Sequence, residues 1–144
     1  MRNYAVRQGK TPSGQTVYCG TEDNEQQAVI EWAQYQLGRY PDLALLHHVP
    51  NGGKRSVTEA ARFKRMGVKS GVPDLVLPVP RGGYAGAYFE LKVPGNKTTV
   101  NQDWWLGKLR QQGYYTAVCY GNKQAIEEIV RYLEKSRTLL ETNE

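Results

Sequence analysis

Two apolar segments lying close together, DLVLPV (74–79) and GAYFELKV (86–93), constrain the fold of this chain most. Both are short and rich in strand-forming residues, and the PRGGYAG between them has the composition of a hairpin loop. Side-chain alternation along YFELKV sends Phe89, Leu91 and Val93 to one face and Tyr88, Glu90 and Lys92 to the other. If the two segments pair antiparallel, Asp74 falls near the far end of its partner, around Glu90 to Lys92. Strand interiors normally hold charge only on a solvated face. Here two carboxylates and an ammonium would converge at one edge of a sheet.

The rest of the chain surrounds that pair with helices. TEDNEQQAVIEWAQYQLGRYP reads as a helix, with Asp23 as N-cap, Gln26 as its capping-box partner, and Gly38 and Pro41 ending the run. A strand is predicted from Leu43 to Val49 and a short helix from Val57 to Met66, between glycine-rich, basic loops. TTVNQDWWLGKLRQQG is a helix with Trp105 and Leu109 one turn apart, YYTAVCY a buried strand, and NKQAIEEIVRYLEKS the clearest helix, with Ala125, Ile126, Ile129, Val130 and Leu133 on one face. QTVYCG carries a weaker strand or hairpin signal. The resulting α, β, short α, β, β, α, β, α order predicts an α/β fold, one mixed sheet flanked by helices. The 144 residues suit a single domain, with a core over about 22–135, an N-terminal extension (1–20) and a C-terminal tail (136–144).

A third carboxylate joins the first two. Glu25, Val29 and Trp32 share one stripe of the first helix, so Glu25 points inward, where it needs a cation or hydrogen-bond donors to offset desolvation. A divalent ion shared with Asp74 and Glu90 would meet that need. Hard oxygen ligands suit Mg2+ or Mn2+, which can polarise a phosphodiester, while a nearby lysine orients the attacking water and balances transition-state charge. Each residue also has a plainer reading: Asp74 as a strand-start cap after Pro73, Glu90 and Lys92 as a solvated pair. The combination favours the metal site.

The net charge of +5 fits a polyanionic partner or simply a soluble basic domain. Six cations, Lys54, Arg55, Arg62, Lys64, Arg65 and Lys69, gather just before Asp74, as a solvated surface or as phosphate contacts beside the cleft. Adjacent His47 and His48 would point to opposite faces of a strand with no cysteine or aspartate at ligand spacing, which argues against zinc. Of the aromatics, Tyr84, Tyr88, Trp104, Trp105, Tyr114 and Tyr115 read mostly as core, with room for base stacking by one or two. Cys19 and Cys119 lack metal-ligand spacing and read as buried thiols. With no signal-peptide core and no apolar run able to span a bilayer, a cytoplasmic protein is expected.

Pro73–Asp74 and Glu90–Leu91–Lys92 resemble the PD-(D/E)xK nuclease motif, and GVPDL…FELK…K…Q resembles its VRR-NUC branch, found in phage proteins and in the Fanconi-associated nuclease. The likeness runs from about Glu25 to Leu133, and the element order matches the restriction-endonuclease-like αβββαβ core. The resemblance implies a metal-dependent endodeoxyribonuclease. Asp74, Glu90 and the main-chain carbonyl of Leu91 would ligate the ion, and Lys92 would position water. Glu25 would act as an outer carboxylate, and Gln102 would match the family's glutamine. Thr99 and Gln102 also fit a capping box, so Gln102 has a second reading. The VRR tripeptide itself is missing; the nearest segment is RMGVKSGVPD. Family habits imply a homodimer acting on branched or otherwise structured DNA. The rival expectation is a non-catalytic nucleic-acid-binding module on a nuclease-like fold.

Overall fold

The computed structural model describes residues 8–10, 16–18, 21–50 and 56–138. Strands β1 (Gln8–Lys10) and β2 (Thr16–Tyr18) pair antiparallel as a small separate sheet, so the weak signal in QTVYCG is one arm of a hairpin. The main sheet holds β3 (His47–His48), β4 (Leu75–Leu77), β5 (Ala87–Lys92) and β6 (Tyr115–Tyr120), in the order β3-β4-β5-β6. The first two pairings are antiparallel and the last is parallel. A parallel pair needs a crossover, and α3 (Val100–Gln111) supplies it. With α1 (Glu22–Tyr35), α2 (Val57–Arg65) and α4 (Gly121–Leu133), this is the expected α/β fold with a mixed sheet.

Alternation along β5 divides the molecule. Phe89 and Leu91 enter the main core, where Val29, Trp32 and Ala33 of α1 and Ala125, Ile129 and Tyr132 of α4 bury Leu75, Leu77 and Ala87. Tyr132 is fully buried, and its hydroxyl donates to the carbonyl of Val79. Glu90 faces the opposite way, toward α3, whose Leu106 and Leu109 are buried. Cys119 lies inside the core, where burial pushes its thiol up to about 12.

Two predicted details differ. Thr21, not Asp23, caps α1: its hydroxyl accepts from the Asn24 amide at 3.2 Å. The predicted strand 43–49 begins instead in a 3-10 turn, Pro41–Leu45, with only His47–His48 in the sheet. Pro41 presets a helical φ at the start of that turn. Leu43 and Leu46, three residues apart, are buried, while Leu45 is half exposed. That is helical spacing, not alternation. α2 has no buried residue and stands at the surface. Among the described residues no helix is long and apolar enough to cross a membrane. Lys54, Arg55, Cys19 and the end of the predicted tail lie outside the described residues.

Candidate active site

Asp74 immediately precedes β4, whose register pairs Leu75 with Phe89, so Asp74 stands opposite Glu90. Its Oδ2 accepts from the Leu91 amide at 2.8 Å. Its carbonyl is held by the Val49 amide at 2.9 Å and contacts Nδ1 of His48 at 2.8 Å. The loop before it is clasped by α3: the Trp105 indole donates to the Ser70 carbonyl at 3.1 Å, and Asn101 reaches the Ser70 hydroxyl. Gly71 makes the clasp fit. Its φ is +91°, and a Cβ there would lie 2.7 Å from the Asn101 backbone.

Glu90 is 2 % exposed. Its Oε1 accepts from Nε2 of Gln102 at 2.6 Å and lies 3.6 Å from Nζ of Lys92. Its Oε2 is buried without a hydrogen-bond partner. Burial first, then the neighbouring Asp74 carboxylate, pushes the Glu90 carboxyl up to about 8, against the pull of Lys92. Burial likewise raises Asp74, against the Leu91 amide. Two carboxylates crowded in a low-dielectric site cannot both ionise cheaply.

Gln102 makes two contacts at once. Its Oε1 accepts from the Thr99 amide at 2.9 Å, closing the capping box, while its Nε2 donates to Glu90. The cap thereby fixes the amide that orients the carboxylate.

Lys92 is 6 % exposed, and its ammonium lies between Glu90 and Oε1 of Glu22 at 3.7 Å. Glu22 is the first residue of α1 and also accepts from Asn96 at 3.3 Å. The inward turn of Glu25 is as expected, at 4 % exposed, but its partner differs. Its Oε2 accepts from both the main-chain and side-chain nitrogens of Asn122, in the first turn of α4. Placing its charge against a helix N-terminus meets its need without a cation. The helix-one acid beside Lys92 is therefore Glu22, one turn before Glu25. An acid at the very end of a helix lies off the buried stripe, so helical periodicity does not mark it. Its visible signal is three acids crowded into one first turn.

The carboxyl ends of the parallel strands β5 and β6 and the N-termini of α1 and α4 thus meet at one pole, the usual place for ligands in open α/β sheets. Arg62, Lys64 and Arg65 of α2 and Lys69 of the loop leading to Asp74 are all exposed. The carboxylates with oxygens suited to a hard cation here are Asp74 and Glu90, with Glu22 on the other side of the Lys92 ammonium. Among the described residues no group of three or more acidic, histidine or cysteine side chains is arranged as a metal cage.

The chain is similar to known proteins in sequence and in fold. A family model of the VRR-NUC domain matches residues 20–123. A Fanconi-associated nuclease 1 homolog from Caenorhabditis briggsae is 26% identical over 105 residues, 73% of this chain. The chain spans only 12% of that protein's length. A solved structure, a VRR_NUC domain protein, superposes with a TM-score of 0.70 at 34% identity, covering 84% of this chain and 94% of that one. With most of its length matched by the family model and by a solved member, the chain belongs to the VRR-NUC family of nuclease domains.

Proposed function

We propose that this chain is a Mg2+- or Mn2+-dependent endodeoxyribonuclease that hydrolyses phosphodiester bonds in branched or otherwise structured DNA. The observation that carries the reading is the buried Glu90 Oε2, partnerless and facing a site where the Asp74 carboxyl is also raised. A hard divalent cation would satisfy that oxygen and let both groups ionise. The residues present therefore fit such an ion. Asp74, Glu90 and the Leu91 carbonyl would hold it, and when bound it supplies a Lewis acid for a phosphoryl oxygen.

The remaining chemistry belongs to the chain. The Lys92 ammonium, fixed between two acids, orients the attacking water and offsets charge developing on the phosphoryl oxygens. Gln102 occupies Glu90 Oε1 and leaves Oε2 for the cation. Glu22 takes the outer-carboxylate role expected of Glu25, while Glu25 fastens α1 to α4. Arg62, Lys64, Arg65 and Lys69 contact phosphates beside the cleft. A homodimer would present two such sites to a junction.

The test is a panel of linear, flap, nicked and four-way-junction DNAs with and without Mn2+. Cleavage of branched substrates that vanishes in EDTA is expected. Lys92→Ala should lower the single-turnover rate by about 100-fold or more, with DNA affinity within about threefold. Equal rates for Lys92→Ala and wild type would sink the mechanism. Intact DNA with no Mn2+ binding by calorimetry would leave the non-catalytic module.

A further inference from the structure

We propose that the pole opposite the active site carries a second, phosphate-binding pocket. It goes beyond the nuclease reading and does not depend on it. α1 has 14 residues, so its far end lies roughly 20 Å from Glu22. There the segments after α1, after β4 and after α4 surround a cleft of about 240 Å³, lined by Arg39, Tyr40, Asp42, Arg81, Lys135 and Arg137.

The pocket is built, not incidental. Arg81 is 9 % exposed, donates to Oδ2 of Asp42 at 2.6 Å and to the Pro80 carbonyl at 2.8 Å. Its backbone bridges to both Tyr84 and Arg137. The Gly82 amide donates to the Ser136 carbonyl at 2.7 Å, so the wall carrying Lys135 and Arg137 is tied to the wall carrying Arg81. Asp42 is the one carboxylate in this lining and is already paired. Arg39 rests over the Tyr40 ring and Lys135 over the Tyr115 ring. Among the described residues neither they nor Arg137 enter an ion pair. The lining holds four cations and one carboxylate, and Glu134 beside it accepts from the Tyr40 hydroxyl at 3.1 Å, so the balance around the concavity is positive.

Concave charge of one sign focuses the field, and guanidinium forks match phosphate oxygens. The ligand class is therefore a phosphate group. It comes either from the backbone of the nucleic acid engaged at the other pole or from a small free phosphate compound.

Arg39 and Arg137 are exposed, so Arg39→Ala/Arg137→Ala leaves the core untouched. Full-length wild type and this double variant are compared in EDTA, with inorganic pyrophosphate by calorimetry and duplex DNA by anisotropy over a salt series. Pyrophosphate should bind wild type and bind the variant at least tenfold more weakly. If the pocket holds a backbone phosphate, the slope of log affinity against log salt also falls by about one to two. If it serves a free phosphate compound, the slope is unchanged while pyrophosphate binding is still lost. Pyrophosphate that fails to bind, or binds both proteins equally, overturns the proposal. Pyrophosphate binding in EDTA reads the pocket alone, so its failure is distinct from a failure of the cleavage test.

Discussion

Glu90 is the residue in which the folded state and the proposed chemistry pull against each other. Its carboxyl is raised to about 8 by burial and by Asp74. A folded-state value above the unfolded one means that the native protein holds the proton more tightly. The stabilisation from Glu90 is full below its ordinary carboxylate range and is lost as pH rises through about 8. In EDTA the melting temperature should therefore decline between pH 5 and 8, and Glu90→Gln should flatten the decline. A wild-type profile that rises over that interval would refute the assignment. Gly71 matters for a different reason. Gly71→Ala adds a Cβ at 2.7 Å from the Asn101 backbone on a chain with φ of +91°, and should cost about 2 kcal/mol or more in urea denaturation. The same change would move the loop that positions Asp74.

Among the elements, legibility followed periodicity. The Asp74–Glu90–Lys92 cluster could be read from sequence because period-two alternation and a short connection leave a hairpin little choice of register. α4 and α3 were visible for the same reason at period 3.6, and the Thr99–Gln102 box by its spacing. The run LALL has no period of its own, so nothing local separated a buried strand from the turn that Pro41 initiates. The Glu25–Asn122 contact joins residues 97 positions apart and has no local signature. Nor does the ion pair of Lys92 with Glu22.

On the scale of the whole molecule, the proposed chemistry sits at one pole, and the sheet and its helices form the core. Mn2+ that binds only the native protein should raise the melting temperature at pH 7 as its concentration passes its dissociation constant, by about 2.7 kcal/mol of added stability at a hundredfold excess. Asp74→Asn should abolish the shift. An equal shift in the variant would place the ion elsewhere. The far-pole pocket gives the molecule a second charged end, so a strand engaged by both would be held at two points roughly one α1 length apart.

α2 is capped by Ser56, and none of its residues is fully buried, with Phe63 half-buried. Its opening should therefore cost far less than opening β5 or α4. In amide deuterium exchange at equilibrium, α2 should label early while the central strand stays protected, and added DNA should slow α2 selectively. The helix bearing Arg62, Lys64 and Arg65 is thus free to shift against a bound phosphate backbone at little cost to the core.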